Sequence, residues 1–96
     1  MIEIRKTETF AHWLDGLHDL RARARVQARI ERLAAGGAGD VKAVGEGVSE
    51  LRIDYGPGYR VYFTMRGRAF VILLAGGVKR SQIADIKTAL RLARNF

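Results

Sequence analysis

The chain has 96 residues, 48% of them hydrophobic, which is enough for one compact core and hence one domain over residues 1–96. With 17 Lys and Arg against 10 Asp and Glu, the net charge is +7 and the pI is near 10.6. That balance points to nucleic acid, an acidic protein or an anionic surface as partner. Cysteine is absent, which excludes a disulfide framework and thiol chemistry, and no apolar run approaches the ~20 residues of a membrane span.

Taken in order, Met1 to Lys6 alternates Ile2 and Ile4 with Glu3 and Arg5 and reads as a short strand joining the sheet. This beginning lacks the apolar core of a signal peptide, so a cytoplasmic location and no membrane partner are expected. Thr7 is the expected N-cap of a first helix. Phe10, Trp13, Leu14 and Leu17 give that helix an apolar stripe, and Gly16 weakens or ends it. Asp19 caps a second helix running to about Ala35, with Val26, Ile30 and Leu33 on one face. Arg21, Arg25, Arg29 and Arg32 share the opposite face, either as a solvated polar surface or as a ridge that meets phosphate or an acidic partner. The stretch Gly36-Gly37-Ala38-Gly39-Asp40 breaks the helix, and Val41 to Gly47 reads as a connecting loop.

Leu51 to Lys79 then holds three strands. Leu51 and Ile53 alternate with Glu50, Arg52 and Asp54. In Tyr55-Gly56-Pro57-Gly58, Pro57 suits the second position of a type II turn and Gly58 the third. Val61, Phe63 and Met65 alternate with Arg60, Tyr62 and Thr64, and Arg66-Gly67 reads as a two-residue turn. Phe70 to Ala75 is an apolar interior strand that Gly76-Gly77 ends. This register places Phe63 opposite Phe70, Val61 opposite Ile72 and Tyr59 opposite Leu74 on the core face. The other face, read as open, carries Arg52, Arg60 and Tyr62. Ser81 suits the N-cap of a last helix with Ile83, Ile86 and Leu90 as its stripe. The order βααβββα predicts an α+β fold with helices on a small antiparallel sheet.

Catalytic constellations are sparse. His12 and His18 are not spaced as a metal pair, so no metal site and no cofactor is expected. Ser49 and Ser81 lack the frame of a nucleophile, and the carboxylates are too scattered for a paired-carboxylate hydrolase. What remains is basic chemistry. Arg52, Arg60, Lys79 and Arg80 are positioned to converge at the open sheet face and its rim, where they can bind phosphates and stabilise charge building on phosphorus. Tyr62 is placed to stack on a base.

The segment GEGVSELRIDYGPGYRVYF, with the later LLAGGVKRSQ and a final helix, resembles the RelE/ParE toxin superfamily, nearest its HigB-like addiction-module killer branch. The resemblance covers nearly the whole chain. It implies a type II toxin, neutralised by a cognate antitoxin, that cleaves mRNA on the ribosome without a metal. By that resemblance Arg60, Lys79 or Arg80, and Arg52 (with a one-residue slip) match the basic catalytic positions. Tyr62, and Arg25, Arg29 and Arg32 of the basic ridge, are the candidate RNA contacts that alternation and helical spacing supply. The tyrosine that RelE carries after its late basic position is replaced here by the stretch Gln82-Ile83-Ala84-Asp85, and no histidine follows His18. A general acid/base is therefore unassigned. Two alternatives stay open: a ParE-like inhibitor of DNA gyrase, and a basic nucleic-acid-binding domain.

Overall fold

The computed structural model of the chain describes residues 2–37 and 39–96. Met1, expected to start the first strand, and Ala38, in the glycine-rich break, lie outside the described residues. Among those described, the order is β1 (Glu3–Lys6), α1 (Glu8–Asp15), α2 (Leu20–Ala34), β2 (Val41–Gly45), β3 (Val48–Ile53), β4 (Tyr59–Arg66), β5 (Phe70–Val78), a 3-10 turn (Lys79–Ser81) and α3 (Gln82–Ala93). The architecture is α+β, as the order of elements predicts. Among the described residues no helix is long and apolar enough to cross a membrane.

Two of the three expected N-caps form, those of Thr7 and Asp19. The Thr7 hydroxyl accepts from Phe10 N–H at 3.0 Å and also donates to Leu74 O at 2.6 Å, fastening α1 to the sheet. Asp19 Oδ1 accepts from Arg21 and Ala22 N–H. Phe10, Leu14, Val26, Ile30 and Leu33 are buried, so α1 and α2 lay their apolar stripes on one face of the sheet.

The sheet runs β1-β5-β4-β3-β2 and is mixed rather than antiparallel. β1 pairs with β5 in parallel, which answers what the first strand joins. The segment read as a loop from Val41 to Gly47 is instead edge strand β2 and the turn that returns it to β3. A bulge between Ala43 and Gly45 interrupts its alternation, which removes the periodic signal that marks a strand.

The β4–β5 hairpin differs from its expected register. Arg66 pairs with Phe70, so the connection has three residues, Gly67 to Ala69. A second bulge then sets Tyr62 opposite Ala75 and Phe63 opposite Leu73, leaving Leu74 as the extra residue. In consequence Val71 and Leu73 face α1 and α2, while Ile72, Leu74 and Ala75 face the other way. The preceding turn also closes one residue early. Gly58 N–H donates to Tyr55 O at 3.0 Å, and Gly58 adopts the expected positive φ of 79°.

The second sheet face is covered, not open. α3 lies across β5, β4 and β3, burying Ala89 and Ala93 beside Ile86 and Leu90. Ile83 is 76% exposed, because the inward stripe is Gln82, Ile86, Ala89 and Ala93. Arg66 Nη2 donates to Ala93 O at 2.7 Å and Arg94 pairs with Glu46, which latches the far end of the helix. Ser81 precedes α3 but does not cap it. Its hydroxyl accepts from Val78 N–H and donates to Asp85 Oδ2.

Gly76 and Gly77 do not end β5, which continues to Val78. They let both layers approach. A methyl group on Gly76 would strike the Trp13 ring of α1, and one on Gly77 would strike Asp85 of α3. Gly76→Ala should therefore cost about 1–3 kcal/mol by overpacking, read by urea unfolding. In a Trp13→Leu background most of that cost should vanish. If the two costs simply add, the ring contact is not its cause.

Candidate functional site

Antiparallel pairing of β3 with β4 sets Arg52 opposite Arg60 and Glu50 opposite Tyr62, on the face that α3 covers. The alternation that put Arg52, Arg60 and Tyr62 together is therefore realised, with Glu50 among them. The Glu50 side chain has no exposed surface. Its Oε1 accepts from Arg52 Nε at 2.9 Å and lies 3.9 Å from Arg60 Nε. Its Oε2 accepts from Tyr62 OH at 3.1 Å and from Gln82 Nε2 at 2.6 Å. Gln82 reaches it because it heads the inward face of α3.

Burial pushes the Glu50 carboxyl up, but the hydrogen bonds from Arg52, Gln82 and Tyr62 and the Arg52 charge outweigh it. Its pKa is held below the ordinary 4.5. Tyr62 moves the other way. Burial first, then the Glu50 charge, raise its phenol well above the usual value. Tyr62 was expected to stack on a base from an open face. It is instead fully buried beneath α3 and holds its proton firmly.

Beyond the Arg52–Arg60 rung the strands turn, and β5 delivers Lys79. Lys79 N–H donates to Gly58 O at 2.7 Å. A Cβ on Gly58 would sit 3.3 Å from both Arg60 Nη1 and Lys79 Cβ, so these two side chains flank one glycine. A groove of about 400 Å³ opens here, lined by Asp40, Arg52, Asp54, Gly56, Pro57, Gly58, Arg60 and Lys79. Arg60 is the most enclosed of its cations, with 11% of its side chain exposed. Its Nη1 donates to Tyr59 O, and its Nε is buried without a hydrogen-bond partner. Among the described residues no carboxylate pairs with Lys79 or Arg80.

The structure thus brings Arg52, Arg60 and Lys79 together. Arg80 is exposed in the 3-10 turn and does not line the groove. Two of the α2 arginines reach the region from the opposite layer. Arg29 Nη1 donates to Arg52 O at 2.8 Å, and the Arg25 guanidinium lies 4.6 Å from the centre of the Tyr55 ring. Arg32 is exposed and outside the groove lining. His12 is on the outer side of α1, beside Glu8 and Asp15.

Sequence reasoning missed Glu50 and Gln82. The alternation placed Glu50 on the face of Arg52, so its position was available. What hid its role was the helix that buries it. Chemically, two guanidinium groups and an ammonium at one groove can hold a phosphate and offset charge that grows on it. Asp40 and Asp54 at the rim exclude a uniformly cationic surface and favour a ligand that brings its phosphate to the arginine end. Among the described residues, no three His, Asp or Glu side chains gather into a metal-sized group.

The family model described as phage-derived protein Gp49-like (DUF891) matches residues 12–95 of the chain. An uncharacterized protein of Haemophilus influenzae is 52% identical over 95 residues, covering 99% of this chain and 96% of that protein.

The Glu50 network carries a pH signature. A carboxyl whose pKa is depressed on folding stabilises the protein above its unfolded value, and that stability is lost as pH falls through the folded value. Glu50→Gln should cost about 1–3 kcal/mol at pH 7. The gap between wild type and variant should narrow as pH falls below 4.5. Urea unfolding across pH 2–7 measures this, and a gap constant with pH would contradict it.

Proposed function

This chain belongs to the phage-derived Gp49-like family, a RelE-like family of toxin–antitoxin modules, and from that membership we propose a toxin of the HigB-like kind, a single domain that cleaves mRNA on the ribosome at the Arg52–Arg60–Lys79 groove. The observation that carries the reading is the convergence of those three cations at one groove, two of them oriented by a buried carboxylate. In this mechanism Arg52 and Arg60 grip the phosphate of the scissile linkage through charge-assisted hydrogen bonds. The neighbouring 2′-hydroxyl gives up its proton and attacks phosphorus, the P–O5′ bond breaks and the 5′-oxygen leaves with a proton, while the same groups and Lys79 offset the added negative charge. Proton transfer falls to Lys79 and to groups the ribosome supplies, since Tyr62 is enclosed and keeps its proton. Arg25, on the Tyr55 ring, and Arg29 extend the basic surface along the RNA. The chemistry asks for no cofactor.

The family supplies the partner in kind, an antitoxin. The charge of +7 favours an acidic one, with an acidic antitoxin segment seated over the groove.

The test is a map of cellular RNA 5′ ends shortly after induction, beside Arg60→Ala. New ends within translated codons are expected for the wild type. The variant should lose them by on the order of 100-fold, as when one preorganised charge donor is removed, while keeping its circular dichroism. Growth arrest without new ends would turn the reading to a gyrase inhibitor. An Arg60→Ala variant that stays fully toxic would move the active face elsewhere.

A further inference from the structure

A buried carboxylate is tolerated when it is paired and its oxygens are satisfied. One arginine and solvent would satisfy Glu50, yet donors reach it from three elements. On Oε2 sit two neutral donors, Tyr62 OH at 3.1 Å and Gln82 Nε2 at 2.6 Å, which fix the plane of the group. Oε1 is thereby left to the two guanidinium groups, and both approach it by Nε, at 2.9 Å for Arg52 and 3.9 Å for Arg60. Arg52, bonded through Nε, keeps both terminal Nη groups for other work. Arg60 is drawn by charge alone and anchored by Nη1 on Tyr59 O, which leaves its Nη2. Both arginines line the groove.

We propose that Glu50 is a positioning residue, whose enclosed carboxylate holds Arg52 by its Nε and draws Arg60 by charge across 3.9 Å, and so sets the terminal nitrogens that meet a phosphate of RNA in the groove. The inference rests on the phosphate-binding reading of that groove. Glu50 touches no substrate. It sets where two cations stand, and a displacement of about 1 Å at such groups is enough to cost on the order of 100-fold in rate.

Charge and position make opposite predictions for Glu50→Gln. The substitution keeps the volume and the acceptor for Tyr62 and Gln82, and raises the net charge by one. If Glu50 only tempers the charge of the groove, the variant binds RNA more tightly and cleaves at least as well. If it positions, affinity for a non-cleavable 2′-O-methyl RNA oligonucleotide holds or rises while turnover on ribosome-bound mRNA falls about 100-fold. Binding and turnover that fall together, in step with a loss of folded protein, would assign Glu50 a structural role only and overturn the proposal. Tyr62→Phe gives a second reading with the charge intact. It removes one anchor of the carboxylate and should lower turnover with affinity unchanged.

Arginine Nε–H resonances provide a readout independent of cleavage. In the wild type, Arg52 should show a dispersed, slowly exchanging signal that collapses in Glu50→Gln, and the Arg60 signal, 3.9 Å from the carboxylate, should shift with it. Signals that remain ordered in the variant would overturn the positioning role even if the wild type cleaves RNA. A wild type that neither binds the oligonucleotide nor cleaves mRNA would sink the proposed function. The resonances would then still decide whether Glu50 orders the two arginines.

Discussion

A carboxylate with no access to water sits at the middle of one face of this sheet, and the structure around it can be read as the answer to that cost. Stripping a carboxylate of solvent costs several kcal/mol unless charge and hydrogen bonds return it. Glu50 recovers it from Arg52 on its own strand, from Tyr62 on the next and from Gln82 on the closing helix. Each donor depends on a separate piece of folding. The β3–β4 register delivers Tyr62, and the bulge at Leu74 turns Ile72, Leu74 and Ala75 toward α3 to form its apolar bed. The small residues Ala89 and Ala93 let the helix sit close enough for its first side chain to reach the carboxylate. The satisfied group then returns something to the surface, a pair of guanidinium groups fixed at the end of their strands.

Some of this was plain in the sequence. Thr7 and Asp19 announced two helix starts because a cap is a local event, decided by one side chain and the next three amides. Alternation placed Arg52, Arg60 and Tyr62 on one face because strand geometry leaves no other choice. What alternation cannot convey is what lies over a face. Tyr62 passed for an exposed aromatic for that reason, and Ile83 passed for a core residue because Gln82, polar by composition, takes the inward position. β2 and the β4–β5 register escaped for other reasons. One unpaired residue erases the period of β2, and the β4–β5 connection has three residues where Arg66-Gly67 reads as two, which shifts every pair that follows.

The basic charge is also less diffuse than the composition implies. Several arginines are tied to structural tasks: Arg94 to Glu46, Arg66 to the end of α3, Arg5 over the Phe70 ring. Those at the groove are tied as well, Arg52 by its Nε to Glu50 and Arg60 by Nη1 to the Tyr59 carbonyl. Phe10, Trp13, Tyr59 and Tyr55 run as a line of rings from the α1 layer toward the groove rim, where Arg25 closes it. The groove is thus continuous with the packed interior, which gives its cations a rigid support.

The same network also bears on the order in which the parts assemble. β1 pairs with β5 at residues 70–73, and the Glu50 carboxylate waits for Gln82. Each closure joins segments far apart in sequence, so each carries the loop-closure cost that makes non-local pairing slow. The setting of Arg52 is therefore a late event of folding, reached only when α3 docks and closes the carboxylate off from water.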